Sequence, residues 1–519
     1  MHVLRSFVAG QWVTGTGTGT LLRDPVTGEA LATADNAGLD ISAAYAWARQ
    51  HGGHALRELS YAQRAALLAQ VAEVLQGNRD KYYDIAMRNS GTVRPDSAVD
   101  IEGGIYTLSY YAKLGQQLAD GTYRLDGEQT SLARDNAYAV QHITVPMRGL
   151  ALMINAFNFP SWGLWEKAAP ALLSGAPVVV KPATATAWLT HEMVSDVLAA
   201  NVLPAGALTL ICGGSSGLLD ALNTEDVLSF TGSSDTAASL RAHPRVARDG
   251  VRMSAETDSL NSALLGPDAQ AGSAAFEALT REVVREMTVK SGQKCTAIRR
   301  VFVPQAIYRQ TAEAIAQCLA SVTVGNPRHA DVRMGSLVSR AQHDDVQAGI
   351  QALREHSDTW FDGSRVPLVD ANPDICACVA PYLLGTADPD THPSVHEREV
   401  FGPVATIMPY RDIAHAYALA RRGQGSLVAS VYSDDSAFLA RSALSLADSH
   451  GRVHLVSPEA AKTHTGHGNV MPQSLHGGPG RAGGGEELGG LRALALYHRR
   501  AAIQGAPDRL HALTHATQS

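Results

Sequence analysis

A cysteine, a glutamate and an asparagine in this chain have the chemistry needed to oxidise an aldehyde through a covalent thioester. Cys295 lies in segment 291–297, Ser-Gly-Gln-Lys-Cys-Thr-Ala. Glu256 ends the segment Met-Ser-Ala-Glu, and Asn158 begins Asn-Phe-Pro. A thiolate can attack a carbonyl carbon, an amide can stabilise the resulting oxyanion, and a carboxylate can activate water. The three residues therefore predict a nucleophile with an oxyanion donor and a base.

The residues around Cys295 predict a reactive thiol. Gly292 permits close approach to another stretch of backbone. Lys294 adds a positive charge, which would favour the thiolate if the ammonium faced the sulfur. A free thiol has a pKa of about 8.5, so a modest lowering gives a useful thiolate fraction near neutral pH.

The composition is typical of a globular protein with more than one domain. The chain has 519 residues, of which 45% are hydrophobic and 18% are charged. A net charge of −7 argues against nucleic acid or an anionic membrane as the main partner. Residues 1–6 lack the features of a signal peptide, and the apolar stretch 168–180 is too short and too interrupted to cross a bilayer. We expect a cytoplasmic protein.

The five cysteines are scattered, which argues against a disulfide framework. Cys376 and Cys378 form a Cys-Ala-Cys pair, but no second Cys or His pair stands at the spacing of a zinc site. We therefore expect no metal site, and a reducing compartment.

Alternating apolar runs and helical stretches predict an α/β fold with parallel sheets. The first set of predicted strands is 149–155, 176–181, 207–212, 227–231 and 251–255. The helices between them are 162–174, 190–200, 216–222 and 234–242. A second set has strands 262–265 and 299–303 with helices 274–289 and 307–322. Residues 121–147 alternate polar and apolar positions and predict a projecting β-ribbon.

Six motifs occur in an order and at a spacing that resemble the aldehyde dehydrogenase superfamily over nearly the whole chain. They are Asn158-Phe159-Pro160, Lys181-Pro182, Phe230-Thr231-Gly232-Ser233, Glu256, Gly292-Gln293-Lys294-Cys295 and Glu399-Val400-Phe401-Gly402-Pro403. The resemblance implies two doubly wound parallel-sheet domains and a β-ribbon. The cofactor-binding domain would comprise 1–120 and 148–256, the catalytic domain 257–473, and the oligomerisation element 121–147 and 474–519.

The resemblance also implies catalytic roles. Cys295 would attack the aldehyde, the Asn158 amide and the Cys295 N–H would hold the oxyanion, and Glu256 would activate the hydrolytic water. Lys167 and Glu487 match positions that relay protons to or from the base. Their alternatives are a helix-surface lysine and a carboxylate in the first turn of a helix, where the dipole favours negative charge.

The resemblance implies a nicotinamide cofactor. Lys181 would hold the adenosine ribose, and Thr184 stands where NAD-preferring members often carry Glu. A carboxylate would repel a 2′-phosphate, whereas a hydroxyl can donate to it, so we predict NADP, with NAD as second choice. Ser215 and Ser216 would add hydroxyl or helix N-terminal contacts, with simple helix capping as the alternative.

Five further residues complete the cofactor site that the resemblance implies. Glu399 would bind the nicotinamide ribose, with Phe401 packed nearby. Thr231, Gly232 and Ser233 would lie close to the pyrophosphate or the nicotinamide.

Three departures from the common pattern resemble one branch of the family, which oxidises CoA-linked semialdehydes in benzoate and phenylacetate degradation. They are Thr257-Asp258-Ser259 after the base, Ile298-Arg299-Arg300 after the nucleophile, and the glycine-rich segment 476–487. The predicted substrate is an acyl-CoA semialdehyde. The alternatives are a CoA-acylating or general semialdehyde dehydrogenase, a thiol esterase, and a non-catalytic protein on the same scaffold. We expect a homodimer, with a tetramer as second choice.

Overall fold

A computed structural model describes residues 1–118 and 121–515. The β-strands are β1 (His2–Leu4), β2 (Ser6–Val8), β3 (Gln11–Val13), β4 (Thr20–Arg23), β5 (Ala30–Ala34), β6 (Arg124–Leu125), β7 (Thr130–Ser131), β8 (Ala139–Pro146), β9 (Ala151–Ile154), β10 (Val178–Lys181), β11 (Leu208–Leu210), β12 (Val227–Thr231), β13 (Arg252–Glu256), β14 (Ser262–Leu265), β15 (Arg300–Pro304), β16 (Val324–Gly325), β17 (Asp358–Phe361), β18 (Leu368–Val369), β19 (Tyr382–Gly385), β20 (Val404–Tyr410), β21 (Ser426–Tyr432), β22 (His450–Val456), β23 (Leu475–Gly477), β24 (Glu486–Leu488) and β25 (His498–Gly505).

The α-helices are α1 (Ile41–Trp47), α2 (His54–Glu58), α3 (Tyr61–Ser90), α4 (Arg94–Gln116), α5 (Trp162–Leu173), α6 (Ala187–Ala199), α7 (Ser234–Ala242), α8 (Pro244–Ala247), α9 (Ala274–Thr288), α10 (Tyr308–Leu319), α11 (Arg340–Arg354), α12 (Ser394–Glu397), α13 (Ile413–Arg421), α14 (Ser436–Leu446) and α15 (Pro507–His515). None of the helices in the described residues is long and apolar enough to cross a membrane.

The first large sheet holds seven of the described strands, in the order β13-β12-β9-β10-β11-β2-β3. Strands β9 to β13 run parallel, while β2 and β3 extend the edge antiparallel. Every residue of β9, β10 and β11 is buried, as expected for a parallel sheet that helices cover on both faces. The parallel register brings the ends of these strands to one edge, where Thr231 pairs with Glu256 and Ile154 with Lys181.

The second large sheet, also of seven described strands, has the order β17-β19-β20-β15-β14-β21-β22. All its neighbours are parallel except β17, which pairs antiparallel with β19. The α/β fold with two mainly parallel sheets is therefore confirmed. The two sheets are joined directly in the chain, because β13 ends at Glu256 and β14 begins at Ser262.

A third sheet confirms the predicted ribbon. Strand β8 pairs antiparallel along its whole length with β25, and β6 and β7 pair with its other edge. The ribbon thus draws its longest partner strand from near the end of the chain.

One predicted helix is wrong. Residues 216–222 form turns, although the other predicted helices exist within a few residues of their expected bounds. Gly217 has φ +76°, a left-handed conformation that interrupts a helix. Just before this segment, the Asn36 side chain donates to the Gly214 carbonyl and accepts from the Gly214 N–H. No helix N-terminus therefore lies at Ser216.

Candidate active site

The backbone before Cys295 turns sharply. After α9, three consecutive residues take left-handed conformations: Lys290 (φ +53°), Ser291 (φ +55°) and Gly292 (φ +69°). A Cβ on Gly292 would clash with the carbonyl of Gly402, so glycine is required both by its φ and by close approach. The expected close approach at Gly292 is thus present, and its neighbour is the segment that follows Phe401.

Arg299, which the sequence marked only as part of a departure from the common family pattern, holds this turn in place. Its guanidinium donates to the carbonyl oxygens of Gly402 (2.7 Å), Gly292 (2.9 Å) and Lys294 (3.2 Å). Its Nε lies 3.4 Å from Glu399 Oε1. The planar guanidinium of Arg299, which has five donors, thus joins the segment that carries Cys295 to the segment that carries Glu399.

Lys294 would favour the thiolate only if its ammonium faced the sulfur, and this condition is not met. Its ammonium donates to both carboxylate oxygens of Glu286, at 2.7 and 2.9 Å, and both side chains are buried. Burial raises the pKa of the Cys295 thiol well above its ordinary value, and the Glu256 carboxylate raises it further. Both effects, together with a hydrogen bond between the thiol and Glu256, favour the protonated thiol.

Glu256 is the last residue of β13 and is buried. Its Oε2 lies 2.7 Å from Nε2 of His476, a β23 residue that the sequence did not mark as functional. Burial alone would raise the pKa of Glu256, but His476 and, less strongly, Lys167 lower it to about 2. Burial alone would lower the pKa of His476, but Glu256 raises it above its ordinary value. The pair is an imidazolium and a carboxylate in contact.

Lys167 and Glu487 lie in the same buried cluster. The Lys167 ammonium contacts the Glu166 carboxylate and lies 3.0 Å from Glu487 Oε2, while Ser229 Oγ donates to Glu487 Oε1 at 3.0 Å. Lys167 is 2% exposed and Glu487 lies in strand β24, so both structural alternatives are wrong.

Glu166 is a further residue of the cluster that sequence reasoning missed. One carboxylate oxygen from each of Glu166, Glu256 and Glu487 lies within 4.8 Å of the others. Burial raises the pKa of Glu166 to about 8, although Lys167 opposes the shift. The sequence does contain a signal for Glu166, which is the Glu-Lys pair inside the otherwise apolar helix α5. A helix that is apolar on all sides is buried, so neither charge can reach solvent.

Two cavities meet at Cys295. One, of about 440 Å³, lies at the carboxyl ends of β12 and β13 and is lined by both Asn158 and Glu256. The other, of about 290 Å³, is lined by Phe159, Trp162 and residues 468–471. Asn158 sits in the loop between β9 and α5, where α/β folds place ligands. The structure thus brings Cys295, Glu256 and Asn158 to one cavity wall.

The larger cavity also collects five of the predicted cofactor residues. Thr231, Gly232, Ser233, Glu399 and Phe401 all line it.

Three contacts fix this wall. Ser233 caps α7 by accepting from Thr236 N, the amide of Ser259 donates to Glu399 (2.9 Å), and Phe401 packs edge-on against Phe157. Burial raises the pKa of Glu399 to about 7, although Arg299 opposes the shift.

The remaining cofactor candidates lie outside that wall. Lys181 is buried at the end of β10, and the Thr184 hydroxyl donates to the Gly213 carbonyl at 3.1 Å. Ser215 is exposed on the turn segment, so the expected helix N-terminal contact from Ser215 and Ser216 is wrong. The lining of the cavity suits a nicotinamide cofactor, since the buried Thr231 Oγ1 lacks a partner in the protein and the Glu399 carboxylate lines the same wall.

Comparison with known proteins agrees with this geometry. Residues 12–493 match the model of the aldehyde dehydrogenase family. The chain belongs to the aldehyde dehydrogenase family. It is 50% identical over 477 residues to 3,4-dehydroadipyl-CoA semialdehyde dehydrogenase of Aromatoleum evansii, covering 92% of this chain and 93% of the relative. The aldehyde dehydrogenase is therefore an oxidoreductase, and the resemblance drawn from its motifs is confirmed.

Two solved aldehyde dehydrogenase-like structures share the fold. A betaine aldehyde dehydrogenase variant of Staphylococcus aureus, in complex with NAD+, has a TM-score of 0.82 at 22% identity, covering 96% of this chain and 97% of that one. A 3,6-anhydro-L-galactose dehydrogenase in complex with NAP has a TM-score of 0.83 at 21% identity, covering 97% and 99%. The fold thus binds either nicotinamide cofactor.

Replacing Gly292 with alanine tests the turn before the nucleophile. Because the added Cβ meets backbone rather than a flexible side chain, we expect Gly292→Ala to destabilise the protein by about 1–3 kcal/mol. The control is Gly77→Ala in the middle of α3, where a Cβ meets nothing within 4 Å. It should stabilise by about 0.5–1 kcal/mol. Chemical denaturation measures both, and equal effects would contradict the constraint at Gly292.

Proposed function

We propose that this aldehyde dehydrogenase oxidises its substrate to a carboxylic acid through a thioester on Cys295 that water hydrolyses. The supporting observation is that Cys295, Asn158 and Glu256 line one cavity, with a second cavity opening at the same sulfur. The substrate would reach the sulfur through the smaller cavity, and the cofactor would bind in the larger one.

In the first step, the sulfur attacks the aldehyde carbon and the carbonyl oxygen becomes an oxyanion. The Asn158 amide and the Cys295 N–H would stabilise this charge, and losing one such donor typically costs about 3–4 kcal/mol. Asn261 supports this arrangement, because its amide donates to the Cys295 carbonyl at 2.7 Å and orients that residue's backbone.

The cofactor supplies a hydride acceptor when bound. Thr231, Gly232, Ser233, Glu399 and Phe401 would hold it, since they line the larger cavity. The carboxylate of Glu399 is an acceptor suited to ribose hydroxyls, and its contact with Ser259 N fixes its direction.

Hydrolysis would begin at Glu256, which would take a proton from water beside the thioester. Lys167 and Glu487 extend from the Glu256 cluster to Ser229, so they provide a chain of groups able to pass that proton on. This chain is the proposed proton relay.

An acyl-CoA semialdehyde is the proposed substrate. The support is the 50% identity to an enzyme whose name specifies such a substrate. The smaller cavity has a mainly apolar wall with one carboxylate, Glu102, and no lysine or arginine among its described lining residues. It suits the acyl chain, so the CoA phosphates would lie outside it.

Water, rather than free CoA, would resolve the thioester, since Glu256 lies at the sulfur. Product analysis with and without free CoA tests this. We expect the same yield of free carboxylate in both cases, whereas CoA-dependent formation of a new thioester would favour the CoA-acylating alternative.

NADP is the proposed cofactor, with NAD second, because Thr184 leaves no carboxylate to repel a 2′-phosphate. Its hydroxyl already donates to the Gly213 carbonyl, so it would have to rotate toward the phosphate.

The sheet of β6, β7, β8 and β25 is the proposed oligomerisation element of a homodimer, with a tetramer second. Strand β25 has one free edge in the described sheet, and exposed edges favour pairing with another chain. Residues 475–488 lie beside Glu256 rather than in this sheet. The proposed oligomerisation element therefore loses them from its predicted range of 474–519. The proposed cofactor-binding domain remains 1–120 and 148–256, and the proposed catalytic domain remains 257–473.

Glu256→Gln separates the two halves of the proposed reaction. We expect a burst of about one reduced cofactor per active site, followed by turnover at least about 100-fold slower, because general-base catalysis contributes that much or more. Mass spectrometry should find the acyl adduct on Cys295. Cys295→Ala is the control and should show neither burst nor adduct; a Cys295→Ala enzyme with full activity would contradict the proposal.

Thr184→Glu tests the basis of cofactor choice. A new carboxylate beside a 2′-phosphate should lower kcat/KM for NADP at least about tenfold more than for NAD, because like charges repel. Thr184→Gln has nearly the same shape without the charge and serves as the control. If both variants changed the NADP-to-NAD ratio equally, charge at this position would not decide the preference.

A further inference from the structure

A surface groove lies between α3 and α4, the two longest helices of the described chain. Its volume is about 740 Å³, which is larger than either cavity at Cys295 and within the range of sites that bind small molecules. The groove exists because the side chains that face one another across it are small. The small residues in its lining are Ala65, Ala69, Ala72, Gly77 and Ala112.

The rim of the groove is polar and carries two cations, Arg79 of α3 and Lys113 of α4. Glu73 is the one carboxylate among the described lining residues. Arg79 has a loose ion pair, 3.8 Å from the Glu102 carboxylate. The uncharged polar residues of the lining are Gln76, Ser109 and Gln116. An apolar floor below a cationic rim suits a ligand that carries both apolar groups and phosphates.

Helix α4 joins this groove to the smaller cavity at Cys295. Glu102 and Tyr106 line the cavity. Ser109 and Lys113 line the groove. In a helix with 3.6 residues per turn, positions 102, 109 and 113 fall on one stripe of the surface. Arg79 crosses the same boundary, because it lines the groove and pairs with Glu102. The mouth of the cavity and the groove are therefore adjacent.

A chain that extends from the sulfur reaches solvent at Tyr106, whose side chain is 45% exposed. The Gln473 amide donates to the Tyr106 hydroxyl at 3.3 Å, so both side chains offer polar groups at the mouth. From Glu102 to Lys113 the helix rises about 16 Å, at 1.5 Å per residue. An extended pantetheine arm is long enough to cover that distance, which brings the phosphates of CoA to the rim at Lys113.

We propose that the groove between α3 and α4 binds the nucleotide end of a CoA-linked substrate, with Arg79 and Lys113 contacting its phosphates. The adenine packs on the alanine floor, and the pantetheine arm follows α4 into the smaller cavity. The inference rests on the proposed acyl-CoA semialdehyde substrate. It assigns a place to the part of CoA that the smaller cavity leaves outside, apart from the cavity proposed for the nicotinamide cofactor.

Two substrates with the same semialdehyde chain separate the groove from the active site. One is the CoA thioester, and the other is the N-acetylcysteamine thioester, which lacks the phosphates and the nucleotide. With saturating cofactor, we expect the native enzyme to have a kcat/KM at least about tenfold higher for the CoA thioester, mainly through a lower KM. Equal values would contradict the acyl-CoA substrate itself, and with it the proposed function.

Lys113→Glu tests the groove alone. We expect it to raise KM for the CoA thioester at least about tenfold, because a repulsive charge replaces an attractive one beside the phosphates. The kinetics of the N-acetylcysteamine thioester, which does not reach the groove, should stay at the native values and show that the variant is folded. Lys113→Arg should keep the native KM for both substrates. If native enzyme prefers the CoA thioester and Lys113→Glu keeps that preference, the proposed substrate stands and the groove is overturned.

Arg441→Glu is the matched control for net charge. Arg441 lies on α14, its side chain is 66% exposed, and it lines none of the cavities at Cys295 nor the groove. It should keep the native preference for the CoA thioester, since salt screens charges at long range. A loss equal to that in Lys113→Glu would show an effect of overall charge and overturn the assignment.

Ala69→Phe tests the floor of the groove without a change of charge. The larger side chain should occupy the space proposed for the adenine and raise KM for the CoA thioester, with the N-acetylcysteamine thioester unaffected. The same loss of kcat/KM for both substrates would show a general packing effect and count against the groove.

Discussion

The whole site depends on the balance of charge among three buried carboxylates and two buried cations. Glu166, Glu256 and Glu487 share a small volume with Lys167 and His476. An unpaired buried ion costs several kcal/mol, so three negative charges beside two positive ones favour one retained proton. The raised pKa of Glu166, about 8, places that proton there. A proton held among neighbouring carboxylates can pass from one to the next without changing the net charge of the cluster, which is what a relay requires.

The fold assembles this cluster from elements far apart in the chain. Strand β13 brings Glu256 to the edge of the first sheet, helix α5 carries two members on its inner face, and the β23–β24 pair carries the rest. The glycine-rich segment makes the approach possible, since a Cβ on Gly483 or Gly485 would clash with the carbonyl of Ala255. The glycines of this segment thus allow it to pack closely against the strand that carries Glu256.

Much of this could be predicted from the sequence where the signal was local. The predicted bounds agree with the structure for the strands 227–231 and 262–265, which are short apolar runs. They also agree for the helix 234–242, which Ser233 caps. The helix predicted over 216–222 is absent because Gly217 takes a left-handed conformation and Asn36, distant in the chain, binds Gly214 just before the segment. The direction of Lys294 depends on Glu286 in the preceding helix, and the place of His476 depends on Glu256, which is distant in the chain. Neither spacing nor composition reveals these contacts. Individual motifs thus predicted which residues meet, but not their protonation.

The order of these residues along the chain also bears on synthesis. All strands of both large sheets, up to β22, are synthesised before residue 475. His476, the cation beside Glu256, and Glu487, the carboxylate beside Lys167, come only later. Until β23 and β24 fold into place, the buried charges of the earlier segments are unbalanced. Under the proposed mechanism, the charge balance around Glu256 would be complete only after residue 488 has emerged. Long sequence separation, which slows folding, would thus delay the assembly of the proposed site until both large sheets have been synthesised.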